Sequence, residues 1–473
     1  MTNPYINKKI AVLGFGMEGQ AVARFLLAEA TSIEIIDQKS SEAVLAELLG
    51  DARMEAVKVL DNPKVKYIAA EKLPLLTEYD AVFRSPSVYF DDKMISEARQ
   101  AGVEVSSQIQ LFFDLCPCKI IGVTGTKGKG TTSSLIFSIL EAQVKSQKSK
   151  VESKVYLAGN IGAPTLDLLP NLASDDIVIL ELSNFQLADL HSSPHIAVMT
   201  NLEIDHLDYH KDEAEYRRAK ESILRYQSES DFAVLNKEST FAPDFLKSVK
   251  SQLRYFSSKD SSASASVSSG SAYLASESGK KEICTTSQIK LVGRHNLMNI
   301  AAATIVADLL GVKFDLIREA IKNFEGLPHR LETVAEIQGI KFINDSFSTN
   351  PGPTIAAVSA FDEPKVLILG GSEKGADFLE MARVIAKSNT KAVISIGVEG
   401  PRINQALEKM GFAGKIIKGE ETLDLIVRQA KESAGIGDLV IFSPACASFD
   451  MFKNYKDRGE KFKEEVWKLI GKS

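Results

Sequence analysis

The densest run of reactive residue types is Gly122-Val123-Thr124-Gly125-Thr126-Lys127-Gly128-Lys129-Gly130-Thr131-Thr132. Glycines let backbone N–H groups close around an anion, a lysine placed as Lys129 is neutralises β- and γ-phosphates, and a threonine hydroxyl can reach Mg²⁺. Lys119 to Val123 reads as the buried strand that delivers this turn. Ser133 to Ala142 has helical spacing, with Leu135, Ile136, Ile139 and Leu140 apolar, so a helix N-terminus adds positive potential. The general phosphate-loop pattern wants Gly at Val123 and Ser or Thr at Gly130; what matches instead is T-G-T-x-G-K. Gly125, Thr126, Lys127, Gly128, Lys129, Gly130, Thr131 and Thr132 are therefore the candidate triphosphate holders.

Other chemistry-bearing residues fall at the ends of apolar runs. Asn160 follows Val155–Ala158, Glu181 closes Ile177–Leu180, and Asp205-His206 follows Ile196–Met199. In parallel sheets ligands gather at the C-terminal ends of strands, and Mg²⁺ takes one or two carboxylates plus phosphate oxygens, which suits Glu181 and His206. Four of the six histidines lie between His191 and His210, but no HExxH occurs and the cysteines are elsewhere, which argues against zinc. Lys220 lies on a helix, and by spacing alone it is a solvated lysine. Nearer the start, Gly14-Phe15-Gly16-Met17-Glu18-Gly19 separates a strand, Lys9–Leu13, from a helix running through Leu27, and Asp37 ends the strand Ile33–Ile36. That is a G-x-G-x-x-G nucleotide unit, for NAD or for another nucleotide in the same crevice, with Asp37 either a ribose contact or a polar strand end. Strands at Phe342–Ile343, Val366–Leu369, Ala392–Ile396 and Leu439–Phe442 carry three polar turns, 344–350, 370–375 and 443–448, which make a binding rim.

The elements behind these residues alternate strand and helix throughout, which implies an α/β protein with mostly parallel sheets. At 473 residues the length suggests about three domains; Pro117 and the Gly326–Arg330 segment place the expected limits at 1–117, 118–327 and 328–473. A composition of 44% hydrophobic and 25% charged residues is ordinary for a soluble globular chain. The net charge of −6 argues against a general nucleic-acid surface. Four cysteines are too few for a disulfide framework, and Cys116 and Cys118 read as isolated core thiols. With no signal-like apolar run and no membrane-length window, a cytoplasmic monomer is expected, without nucleic-acid or membrane partners. Glu141–Lys154 reads as an exposed loop or helix extension, and the Ser/Ala-rich Phe256–Ser278 as a loop or β-hairpin insertion. Gly293-Arg294-His295-Asn296 caps a long apolar helix, Leu297–Leu310, with Asn299 in its first turn.

Taken together these residues closely resemble the Mur ligases, and within that family the branch that adds D-glutamate. The most specific matches are Gly326-Leu327-Pro328-His329-Arg330, Asn344-Asp345-Ser346, and the run from Ser443-Pro444-Ala445-Cys446-Ala447-Ser448 to Gly459. The resemblance spans the chain except 141–154 and the serine-rich insertion. It implies a Rossmann-like UDP domain, a central ATPase domain and a C-terminal Rossmann-like domain. The implied reaction is ATP-dependent amide formation between UDP-N-acetylmuramoyl-L-alanine and D-glutamate through an acyl phosphate, a step of peptidoglycan precursor synthesis. Carried over residue by residue, Lys129, Asn160, Glu181, His206 and Lys220 would be catalytic. Thr131, Glu181, His206 and a carbamylated Lys220 would hold Mg²⁺, which replaces the solvated-lysine reading. Asn299, Arg330 and Asp345 would join the phosphate loop in holding ATP. Gly14, Phe15, Gly16, Gly19, Asp37, Gln38, Ser85 and Ser87 would meet the UDP group. Thr349, Lys374, Ser448 and Tyr455 would take up D-glutamate. Three departures stand out: Gly130 replaces the Ser/Thr after the loop lysine, Phe347 stands where the family commonly has lysine, and Ser87 replaces the glycine of S-P-G. The readings set against this one are a ligase adding a different amino acid, a non-catalytic UDP-sugar or nucleotide binder, and an NAD-dependent oxidoreductase, which leaves the 122–132 loop unexplained.

Overall fold

The computed structural model describes residues 5–27, 30, 32–48, 50–146, 153–161, 164–203, 209–241, 243–373 and 375–470. Its contacts divide the chain into two compact units, residues 1–289 with 294–324, and 290–293 with 325–473.

The first unit holds two sheets. β1 (Lys9–Leu13), β2 (Ser32–Asp37), β3 (Val65–Ala69), β4 (Ala81–Arg84) and β5 (Glu104–Ser107) form an all-parallel sheet in the order 3-2-1-4-5. The strand order reverses between β1 and β4, and ligands of doubly wound sheets bind at such a point. Both the G-x-G-x-x-G turn and Ser85 leave the sheet there. β1 and β4 are buried almost throughout, as strands covered on both faces must be.

The second sheet has nine strands: β6 (Lys119–Thr124), β7 (Val155–Gly159), β8 (Ile177–Glu181), β9 (Ile196–Met199), β10 (Phe232–Asn236), β11 (Gln252–Ser257), β12 (Ala265–Ser268), β13 (Ser271–Ser276) and β14 (Gly279–Thr285). Their order is 14-13-12-11-10-9-6-8-7, parallel from β7 to β12 and antiparallel beyond. The serine-rich insertion is thus the hairpin alternative, and it extends the sheet. Ser269 (φ 50°) and Gly270 (φ 81°) make its two-residue turn, and two consecutive positive φ values fit the type I′ geometry that matches strand twist. The helix after the phosphate loop runs Lys129–Ser146, so the first part of 141–154 is helix extension; residues 147–152 lie outside the described residues. The long apolar helix is Asn296–Leu309, buried along most of its length, but its N-cap residue His295 makes no side-chain capping hydrogen bond, so the expected cap is not formed there. One hydrophobic core includes residues from both sheets, among them Phe83 and Val178, and from the helices beside them, among them Ile109 and Leu187.

In the second unit, β15 (Glu332–Ile337), β16 (Ile340–Asn344), β17 (Lys365–Gly370), β18 (Thr390–Ile396), β19 (Lys415–Lys418) and β20 (Leu439–Phe442) order as 15-16-20-17-18-19, parallel except for β15. β16, β20 and β17 are neighbours, so the three polar turns after them leave the sheet side by side. No described helix is long and apolar enough to cross a membrane.

Candidate active site

The first unit gathers its candidate residues at the C-terminal end of β6 and its neighbours. β6 lies between β8 and β9, and the register sets Val123 opposite Glu181 and Thr124 opposite Met199. The phosphate loop is fastened to the segment after β9: Thr126 N donates to Asn201 O at 3.1 Å, Lys127 N to Asn201 Oδ1 at 2.8 Å, and Thr200 Oγ1 lies 2.6 Å from Lys127 O. Gly128 has φ 83°, and a Cβ there would stand 2.4 Å from Asn299 Oδ1, so only glycine allows Asn299 to pack on the loop. Asn299 also accepts from Thr132 Oγ1 at 3.3 Å and donates to Asn296 Oδ1 at 2.9 Å.

Two lysines converge on one carbonyl. Lys129 Nζ donates to Gly125 O at 2.9 Å and Thr126 O at 3.1 Å, and Lys220 Nζ donates to the same Gly125 O at 3.0 Å. Lys220 is 1% exposed, with its ammonium 5.0 Å from the Tyr216 ring centroid, so it is not the solvated helix lysine that spacing suggests. Its helix, Glu213–Arg225, packs its inner face on the sheet and carries Lys220 beneath the loop. Glu181 is buried, its Oε1 accepting from Asn160 Nδ2 at 3.0 Å, and Asn160 N donates to Glu181 O. Thr131 and Thr132 are buried in the first helical turn. His206, with Asp205, lies outside the described residues. Among the described residues no three His, Cys, Asp or Glu side chains gather as a metal cage. The oxygen donors present, the Glu181 carboxylate and the Thr131 hydroxyl beside a phosphate loop, fit Mg²⁺, which completes its shell with phosphate oxygens and water.

Sequence reasoning missed a hydrogen-bonded chain that begins at Asn184, just after β8. Asn184 Nδ2 meets His210 Nε2 at 2.8 Å, His210 Nδ1 meets Glu215 Oε1 at 3.1 Å, and Tyr89 OH donates to Glu215 Oε2 at 2.9 Å. The signal was the histidine cluster, of which His210 is the member that enters this chain. The thiols of Cys116 and Cys118 are 3.5 Å apart and Cys116 is only half-buried, so they are not isolated core thiols.

At the switch point of the first sheet, Gly19 approaches so closely that a Cβ would stand 1.9 Å from Gly14 O. Asp37 Oδ2 accepts from Phe15 N at 2.7 Å and Oδ1 from Lys39 N at 2.9 Å, so its carboxylate braces the turn. Ser85 Oγ donates to Gly14 O at 3.1 Å, Phe15 is buried, Gly16 and Gln38 are exposed, and the Ser87 hydroxyl faces Gly14. Glu18 Oε1 accepts from Gln186 Nε2 at 2.7 Å while its Oε2 is buried with no partner, and burial lifts the carboxyl to about 7.

The second unit brings Arg330, Asp345, Thr349, Ser448 and Tyr455 to the turns after β16 and β20. Asp345 is buried, and that burial raises its carboxyl to about 6. It accepts from Leu331 N at 3.2 Å and from the Ser348 and Ser443 hydroxyls. Thr349 and Tyr455 are half-buried, Ser448 is buried, and Lys374 lies outside the described residues. Arg458, which sequence reasoning left without a role, ties the turns together: Nε donates to Ser346 Oγ at 2.9 Å, Nη2 to Ser346 O at 2.8 Å and Nη1 to Cys446 O at 3.0 Å.

Three family descriptions match successive parts of this chain: "Mur ligase MurD-like, N-terminal domain" over 8–107, "Mur ligase middle domain" over 123–307, and "Mur ligase, glutamate ligase domain" over 329–446. The UDP-N-acetylmuramoylalanine--D-glutamate ligase of Acetivibrio thermocellus is 38% identical, covering 97% of this chain and 96% of that one. The ligase of the same name from Symbiobacterium thermophilum is 35% identical, covering 98% and 99%. Among solved structures, the UDP-N-acetylmuramate-alanine ligase MurC of Thermotoga maritima matches with TM-score 0.56 and 19% identity over 98% of this chain and 100% of that one. MurF ligase of Thermotoga maritima in complex with ADP matches with TM-score 0.54 and 16% identity over 98% and 96%. At those identities the structural likeness speaks to fold.

Proposed function

The chain belongs to the Mur ligase family, and from that premise we propose that it is the ATP-dependent ligase that joins D-glutamate to UDP-N-acetylmuramoyl-L-alanine in peptidoglycan precursor synthesis. The observation that carries this is the near-full-length identity to ligases of that name, joined to a phosphate loop whose carbonyls hold two lysines beside a buried Glu181–Asn160 pair.

A carboxylate is a poor acylating agent at neutral pH, so the reaction needs a better leaving group on the acyl carbon. In this reading the L-alanyl carboxylate attacks the γ-phosphate, releasing ADP and forming an acyl phosphate. The D-glutamate amine then attacks the acyl carbon, loses a proton, and expels inorganic phosphate. Two anions must approach each other, and cations placed beforehand lower that barrier. Lys129 supplies one on leaving the loop carbonyls for the β/γ-phosphates, while Lys127 is paired with Glu203 at 2.8 Å. Glu181, Thr131, His206 and a carbamylated Lys220 would hold Mg²⁺, which would supply further charge neutralisation. Asn160 orients the Glu181 carboxylate. Asn299 and Arg330 hold the nucleotide. Asp345, whose acceptors are engaged by Leu331, Ser348 and Ser443, keeps Arg330's segment in place. The UDP group docks on the Gly14–Gly19 turn with Asp37, Gln38, Ser85 and Ser87, and Thr349, Lys374, Ser448 and Tyr455 take the D-glutamate carboxylates. The three sequence domains, 1–117, 118–327 and 328–473, divide these tasks, and the reaction belongs to the cytoplasm.

Phosphate release from ATP, measured with UDP-N-acetylmuramoyl-L-alanine and either D- or L-glutamate, tests the reading. Turnover dependent on D-glutamate is expected, and none at all overturns it. Phe347, where the resemblance implies a cation near the anions, favours a second reading in which another amino acid is accepted; a screen of amino acids in the same assay decides between them. Lys129→Ala should abolish phosphate release while leaving UDP-sugar affinity intact.

A further inference from the structure

Arg330 is presented on an unusual piece of backbone. Both of its neighbours adopt left-handed conformations, His329 at φ 64° and Leu331 at φ 46°. Non-glycine residues seldom do so, leucine least of all, and such strain persists only where surrounding contacts enforce it. Here they do: His329 N donates to Glu332 Oε2 at 2.8 Å, Leu331 N to Asp345 Oδ1 at 3.2 Å, and Phe347 N to His329 O at 2.9 Å. The last bond also fixes Phe347 beneath the arginine. The Phe347 ring centroid lies 4.4 Å from Arg330 Cζ, Tyr455 meets the same ring edge-on at 5.1 Å, and Phe347 remains 37% exposed.

A guanidinium over an aromatic face keeps its N–H groups in its own plane, so the ring fixes that plane without consuming the donors. An ammonium at position 347 would do the opposite: it would add charge, repel Arg330 and leave the plane unfixed. We propose that Phe347 is a positioning residue that orients Arg330 for planar, two-point recognition of an oxyanion, a nucleotide phosphate. This rests on Arg330 as a nucleotide contact.

The test compares Phe347→Leu, Phe347→Tyr and Phe347→Lys with the unmodified chain. Phe347→Leu is expected to raise KM for ATP roughly threefold or more, the order of a cation–π contact at a partly exposed site, and by more than KM for D-glutamate, whose proposed residue Tyr455 also touches the ring, with Tm little changed. Phe347→Tyr should restore KM, and Phe347→Lys should not. Unaltered KM for ATP in Phe347→Leu overturns the proposal, as does an equal rise in Phe347→Tyr. Absence of any turnover by the unmodified chain would sink the ligase reading instead. The positioning claim is then still decided by titrating a non-hydrolysable ATP analogue into Phe347→Leu, Arg330→Lys and the double variant: non-additive losses support it, additive ones refute it.

Discussion

Glu18 carries the clearest consequence of a single side chain's surroundings. It sits in the first turn of the helix after the G-x-G-x-x-G loop, where a carboxylate ordinarily profits from the helix dipole. Instead one oxygen is buried without a partner, and loss of solvation outweighs the Gln186 hydrogen bond and the field of Arg84, lifting the carboxyl to about 7. An unfolded glutamate titrates near 4.5. Between those values the folded chain holds more protons than the unfolded one, so stability falls as pH rises through the window and is lowest above it. The shift corresponds to about 3 kcal/mol. Glu18→Gln keeps an acceptor for Gln186 and removes the charge. Its melting temperature should exceed that of the unmodified chain by several degrees at pH 8 and match it near pH 5, read by calorimetry in the two buffers. None of this was legible beforehand, because Gln186 lies 168 residues away. Lys220 teaches the same lesson, since helical spacing cannot reveal that a helix carries one lysine under a loop. Local partners are easier to foresee: the carbonyls that hold Lys129 belong to Gly125 and Thr126, inside the same run of a dozen positions, whereas the contact that demands glycine at 128 comes from Asn299.

Elements were legible where the pattern was strong. The strands entering the phosphate loop and the three C-terminal turns are apolar runs bounded by glycine and polar residues, and they form as expected. β3, β10 and β11 went unread: Val65–Ala69 alternates over only five residues, and Gln252–Ser257 mixes charge with aromatics. Two turns allow direct tests. At Gly128 an added methyl meets both a left-handed backbone and Asn299 Oδ1. The backbone alone costs about 1–2 kcal/mol. Gly128→Ala should weaken binding of an ATP analogue at least tenfold by isothermal titration, and near-normal affinity would mean that the loop rearranges to bind. The type I′ turn of the inserted hairpin already has glycine second, but serine occupies the first left-handed position. Asparagine tolerates that conformation better, so Ser269→Asn should stabilise the hairpin by about 0.5 kcal/mol, seen as slower amide exchange in 265–285 with activity unchanged.

At the scale of the molecule, the sequence suggests three modules while the contacts cluster into two units, and Arg84 is the best place to ask which division governs unfolding. In the sequence it only opens the polar run Arg84-Ser85-Pro86-Ser87. Folded, it ends β4 of the first sheet with its side chain wholly buried, donating through Nε and Nη2 to both oxygens of Asp189 at 3.0 and 2.6 Å and through Nη2 to Phe185 O at 3.0 Å. Asp189 and Phe185 follow β8 of the second sheet, and the core beneath them is shared by both sheets. Two sheets joined by a common core and a buried ion pair should melt together. Calorimetry is therefore expected to resolve two transitions, with hydrogen exchange assigning one to peptides from 1–289 and the other to peptides from 325–473. Arg84→Met strips Asp189 of its buried partner, leaving it the half-buried Arg99 at 3.0 Å. Breaking a buried pair in this way costs about 3–5 kcal/mol. The first transition should fall by roughly 5–10 °C, given about 1–3 °C per kcal/mol for a unit larger than 250 residues, and the second should stay in place. Three transitions in the unmodified chain, or an unmoved first transition in Arg84→Met, would mean that the two sheets unfold independently and that the sequence modules are the thermodynamic ones.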